Sequence, residues 1–374
     1  MTGVIAGIGL TAAGELDGRS TVSLNVEACR AALDDAQIGT DLVDAVFVKF
    51  PTSQLEFMYA TKVAAALGID APAMVGSWDQ GGAANISMIS QAVLAIEAGQ
   101  IEVALVTAAD NPRSGTRQAY EKVKGADGPY GWIGVAADYA LITRRYLDEH
   151  GLSDADLAPF AIAARRHGAD NPAAQLRKPL ALEQYLAEPY VVEPLRRSDI
   201  CLVSDGGGAV VVTSARHAAQ LGVPAPVPVL GVGHAQRTQS VIHRSDLLDT
   251  AAGDAGARAF ASAGLKPGDI DVAQLYDCFT VVPALTLEAY GFCGNGQAAA
   301  FARNEGIELG GRLPLNTSGG LLAETGMPGM QLVVEGVRQM RGTAVNQVTG
   351  ASTCIVSNQG GSMTTHATMI LGAS

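Results

Sequence analysis

Short apolar runs alternate with longer stretches of helical periodicity along this chain, and the alternation starts twice, each time from a glycine-punctuated strand. In the first half residues 4–10, 44–49, 73–78, 103–108 and 209–214 read as strands, with helices over 22–36, 57–67 and 83–98. Alternation of this kind predicts a mostly parallel sheet with helices on both faces. A polar, proline-containing insertion, about 111–203, interrupts the pattern and carries helical stretches at 136–149 and 159–167. An insertion of that length within an α/β unit usually forms a lid or a substrate-binding subdomain.

Pro224, Pro226 and Pro228 stand at alternate positions and mark a boundary, which divides the chain into residues 1–222 and 223–374. Beyond it, strands are expected at 229–233, 272–276, 352–357 and 367–371, and helices at 247–263, 281–290 and 330–340. The repeated order implies a duplicated α/β architecture, although the two halves share little residue identity.

Composition narrows the function. Hydrophobic residues make up 48% and charged residues 17%, which excludes intrinsic disorder. With 25 basic against 37 acidic residues the net charge is −12, the wrong sign for sequence-independent attraction to nucleic acid or anionic lipid. No apolar stretch reaches the roughly 18 residues of a membrane span. The N-terminus turns polar too early for a signal peptide. The five cysteines form no Cys-x-x-Cys pair and have no histidine at ligand spacing, so the expectation is a reduced cytoplasmic protein with no metal site of its own.

The turn Gly76-Ser77-Trp78-Asp79-Gln80-Gly81-Gly82-Ala83-Ala84 joins a strand to a helix. Unpaired N–H groups at such a helix start can hold an oxyanion, and Gly81 and Gly82 permit close approach. Bulk at Gly81 is therefore expected to block this cradle while the fold stays largely intact. Asp79 reads equally well as the helix N-cap.

This turn, together with the run from Glu102 to Asp110, resembles the nucleophile region of the thiolase superfamily, in its sterol-carrier-protein thiolase branch. The resemblance continues through residues 193–201 and 204–209, then Tyr276-Asp277-Cys278-Phe279-Thr280, 291–296, 311–320 and 335–342. It implies two αβαβα-type halves with mixed sheets and an inserted loop subdomain, working as a dimer. The family's catalytic groups are replaced throughout. Trp78 stands where a thiolase has its acylated cysteine, and an indole cannot be acylated. The loop from Ala323 to Met330 lacks the activating histidine, and Asn358, in Asn358-Gln359-Gly360-Gly361, takes the place of the second cysteine.

The chain resembles the bacterial steroid side-chain-cleaving aldolases, which lack the thiolase cysteine. That resemblance implies retro-aldol cleavage of a β-hydroxyacyl-CoA without an acyl-enzyme, CoA entering only as part of the substrate and no further cofactor being needed. It also implies a homodimer core with a small OB-fold, zinc-ribbon partner. Tyr276 matches one tyrosine of that group, and Gly326 falls where the second is expected. A tyrosine with an ordinary pKa of about 10 needs that value lowered to act as a base at neutral pH. Asp79 and Glu324 are the alternative bases, each also readable as a cap or a solvated loop residue. Trp78, Gly81, Gly82, Gly326, Asn358, Gly360 and His366 are the expected substrate-binding positions, His366 reading equally as core. Two other functions stay open: an acyltransferase whose nucleophile has moved to Cys278 or Cys354, and a non-catalytic acyl-CoA-binding subunit.

Overall fold

The computed structural model describes residues 3–115, 129, 132, 134–237, 241–327 and 329–374. The strands are β1 (Gly3–Leu10), β2 (Ala45–Lys49), β3 (Met74–Trp78), β4 (Val103–Asp110), β5 (Tyr190–Val192), β6 (Leu195–Arg196), β7 (Gly206–Ser214), β8 (Val227–Gln236), β9 (Val272–Leu275), β10 (Thr353–Gly360) and β11 (Thr365–Gly372). The helices are α1 (Thr21–Ala36), α2 (Tyr59–Leu67), α3 (Ala84–Glu97), α4 (Gly134–His150), α5 (Ala158–Asp170), α6 (Leu182–Ala187), α7 (Ala215–Leu221), α8 (Ala252–Ala263), α9 (Val281–Ala289), α10 (Ala298–Phe301), α11 (Gly320–Ala323) and α12 (Met330–Arg341).

Nine strands run in the order β3-β2-β4-β7-β1-β8-β11-β10-β9, the two halves meeting at a short β1–β8 pairing. The sheet is mixed, which corrects the mostly parallel expectation. Among the named strands of the described residues, parallel pairing is confined to β2–β3, β2–β4 and β9–β10, near the edges. The central pairings are antiparallel because β7 returns beside β1 and β4 after the insertion, and β10–β11 is a hairpin.

Each half opens on a strand whose glycines seat a helix. In β1, a Cβ on Gly7 or Gly9 would lie 2.1 Å from the Ala32 carbonyl oxygen or 2.3 Å from that of Ala28, both in α1. In β8, a Cβ on Gly231 or Gly233 would meet the carbonyls of Ala259 and Ala255 in α8 at 2.5 and 2.0 Å. Only glycine allows so close a contact between strand and helix. The equivalent Gly-Ile-Gly and Gly-Val-Gly triplets are the physical trace of the repeat.

Helices α1 and α2 cover the outer face of the first half, and α8 and α9 that of the second; α3 and α12 lie buried on the inner face, each touching strands of both halves. Their N-termini bring the loops after β3 and α11 to one place. Segment 199–202 crosses the same region, with the Cys201 N–H donating to the Cys278 carbonyl at 2.9 Å and the Leu202 N–H to that of Leu321 at 3.2 Å. Residues 116–128 of the insertion lie outside the described residues.

Candidate active site

Strand β3 is the sheet edge, and its last residue, Trp78, is half-buried with its indole centroid 5.1 Å from that of Phe47 on β2. The helix after it starts at Ala84 with Ala83 as its cap residue, so Asp79, exposed on the connecting loop, is not the N-cap. Gly81 has φ +56°, and a Cβ there would sit 2.8 Å from the Cα of Gly360. The two halves therefore touch backbone to backbone at this turn, and bulk at Gly81 will strain the fold, contrary to the expectation from sequence.

Gly82 lies against Tyr276. A Cβ at Gly82 would come within 2.4 Å of Tyr276 Cε2 and 2.7 Å of the Gln359 carbonyl oxygen. Tyr276 follows the last residue of β9, and its N–H still donates to the Ser357 carbonyl at 2.9 Å. Its side chain alternates onto the face of Gln274, which reaches Thr317 Oγ1 at 3.0 Å beside α12. The ring is buried at 9% exposure beside the start of α3. Gly81, Gly82, Tyr276 and Gly360 are thus brought together. Asn358 joins them on the same inner face, its Nδ2 donating to the Gly329 carbonyl at 3.1 Å and its buried Oδ1 left without a partner among the described residues.

Other expected positions lie elsewhere. Strand alternation puts His366 on the opposite face, against α8 and α9, where its Nε2 pairs with Ser357 Oγ at 2.6 Å. Burial lowers its pKa to about 3, so the imidazole stays neutral. Glu324 is 3% exposed, not a solvated loop residue, and Ser318 Oγ donates to its Oε2 at 2.6 Å. Burial raises its pKa to about 8, and Glu335 nearby adds to the rise. Gly326 donates its N–H to Ser204 Oγ at 3.0 Å, and a Cβ there would fall 1.9 Å from the Leu202 carbonyl oxygen. Segment 199–202 leaves no room for a tyrosine at that position.

Three neighbours were not among the expected site residues. Asp277 is fully buried and accepts from the Leu321 N–H at 2.7 Å, which ties the loop carrying Glu324 to the Tyr276 strand; burial pushes its pKa up to about 7. Its signal was a charge at the apolar end of a strand. Lys49, paired in register with Trp78, is buried and donates to the Phe50 carbonyl at 2.9 Å. Burial lowers its pKa against the opposing pull of Asp110 and Asp79; an inward-facing lysine in a run of apolar residues was the available cue. Gln359 Nε2 donates to Tyr139 Oη at 2.5 Å and lies 3.2 Å from Cys278 Sγ. No spacing could have disclosed a contact between residues so far apart in the chain.

Two α/β halves joined across buried central helices, with the site where those helices begin, define the thiolase fold. A solved structure titled Ltp2-ChsH2(DUF35) aldolase superposes with a TM-score of 0.90 at 35% identity, over 100% of this chain and 98% of that one. A monomeric SCP2-thiolase-like protein from Mycobacterium smegmatis shares the fold, with a TM-score of 0.77 at 24% identity, over 100% of this chain and 77% of that one. Residues 233–373 match the family described as Thiolase C-terminal domain-like. The 17-hydroxy-3-oxo-4-pregnene-20-carboxyl-CoA lyase of Mycobacterium tuberculosis is 36% identical over 94% of this chain and 95% of its own length. The steroid side-chain-cleaving aldolase of Thermomonospora curvata is 36% identical over 99% and 97%. The chain belongs to this family of aldolase-type carbon–carbon lyases built on the thiolase fold.

Proposed function

We propose that the chain cleaves a β-hydroxyacyl-CoA carrying a steroid or similarly bulky side chain by retro-aldol chemistry, releasing a ketone or aldehyde and a shorter acyl-CoA. The observation that carries this reading is the pairing of Trp78 at the nucleophile position with Tyr276 packed on Gly82 at the start of α3. A base removes the β-hydroxyl proton, the Cα–Cβ bond breaks, and its electrons pass to the thioester as an enolate that is then protonated at carbon. The step needs a proton carrier and an oxyanion site, and it calls for no cofactor beyond the CoA of the substrate.

Tyr276 is our proton carrier. The unpartnered Oδ1 of Asn358, on the same face, suits the substrate hydroxyl as a hydrogen-bond acceptor. We assign Glu324, enclosed and bonded to Ser318, to holding its loop, and leave Asp79 at the exposed mouth. Two features weigh against a relocated nucleophile: Cys278 and Cys354 are buried, and burial holds both thiols well above their ordinary pKa, in the unreactive protonated form.

We also propose two partners. Edge strand β3 exposes Val75, and the loop between β2 and α2 exposes Leu55, Phe57 and Met58, a surface suited to pairing with a second copy of the chain. A small OB-fold partner seated on the dimer is supported by the pairing of Ltp2 with ChsH2(DUF35) in the superposed aldolase. The five free cysteines favour the reducing cytoplasm as its compartment. The test is Tyr276→Phe, which keeps the ring and removes the proton. We expect kcat to fall about 10²- to 10⁴-fold with a modest change in KM; near wild-type kcat would remove Tyr276 from the reaction.

A further inference from the structure

At the end of β3 the Trp78 side chain folds back along its own strand. An ideal Cβ on Gly76 would lie 2.3 Å from Trp78 Cζ3 and 2.9 Å from Cη2, with Cε3 next at 3.4 Å. The indole therefore occupies the space that any other residue at position 76 would fill. Phe47, on the neighbouring strand, meets it at an interplanar angle of 57° and forms the other side of this berth. On the opposite face of β3 the strand is pinned by the Ala60 N–H donating to Ser77 Oγ at 3.2 Å. The indole, not the backbone, is the part free to give way.

We propose that Gly76 is a positioning residue for the lyase reaction: by leaving its own face empty it stores the Trp78 indole flat on β3, which opens the strand end in front of α3 to a bulky acyl group. This deepens the retro-aldolase reading and rests on it. A tryptophan aimed forward from the same backbone would fill the position where the reacting thioester must lie beside Gly82 and Tyr276. Gly76 and Trp78 thus form one unit, in which the large residue is tolerated because the small one lies two positions before it, on the same face of the strand.

The test is a double-mutant cycle on the full chain, with Trp132→Phe as background so that Trp78 is the remaining tryptophan. Gly76→Ala should displace the indole, shift its emission to the red, and weaken both binding and turnover of a ring-bearing β-hydroxyacyl-CoA by about 10²-fold, the scale at which misplacement near a reacting group is felt. The melting temperature should stay close to that of the background protein. Adding Trp78→Ala should return binding and turnover to within a few-fold of the Trp78→Ala single variant, since no indole is left to displace. Unchanged emission and activity in Gly76→Ala would overturn the proposal, as would a loss that Trp78→Ala fails to relieve. A background protein that binds the thioester without cleaving it would refute the lyase reading instead, and the emission and binding arms would still decide the role of Gly76.

Discussion

Glu324→Gln separates the two roles this carboxyl can have. The native environment raises its pKa from 4.5 to about 8, chiefly through burial. Below pH 4.5 the proton is bound in both states and the group contributes no pH dependence. As the pH rises past that point the unfolded chain releases its proton while the folded chain keeps it until about 8, so stability is lost as pH rises. A rise from 4.5 to about 8 places the stability that is lost on the order of a few kcal/mol. The amide that replaces the carboxyl retains an acceptor for Ser318 Oγ and has no charge to bury. In urea unfolding at stepped pH, the variant should gain on the wild type by about 1.4 kcal/mol per pH unit between about pH 5 and pH 8. Its kcat should stay within a few-fold of wild type. A stability difference independent of pH would refute the burial argument. A kcat loss as large as that of Tyr276→Phe would hand the proton work to Glu324.

Gly81→Ala should lower the unfolding midpoint by an amount equivalent to about 2 kcal/mol or more, combining a left-handed backbone with the clash against Gly360; an unchanged melting curve would show that the two halves separate freely at this turn. Treatment of the native enzyme with iodoacetamide should leave turnover intact, because Cys278 and Cys354 are buried and protonated; rapid inactivation with labelling of either would revive the acyltransferase.

Most of the fold was legible because it rests on local periodicity. Strands β1, β2 and β3 and helices α1, α3 and α12 fall within a residue or two of the segments read from apolar spacing. Strand direction was not, since the antiparallel centre depends on how the chain returns after the insertion. The start of α8 at Ala252, not residue 247, reflects a turn, Leu247-Leu248-Asp249-Thr250-Ala251, whose leucines share the apolar rhythm of the helix. At the site, the glycines and Tyr276 could be read from motif order. The placement of His366 could not, because one step along a strand decides the face, and neither could the burial of Glu324, which depends on α12 and Ser318 closing over it.

The central claim is that carbon–carbon cleavage proceeds here without a covalent acyl-enzyme. Its most direct test is mass spectrometry of both products and protein after incubating the chain, alone and with the OB-fold protein proposed above, with a ring-bearing β-hydroxyacyl-CoA. A ketone or aldehyde and a shortened acyl-CoA should appear in equal amounts, with the intact protein mass unchanged at every time point. A stoichiometric acyl adduct on Cys278 or Cys354, accumulating and decaying with turnover, would contradict it.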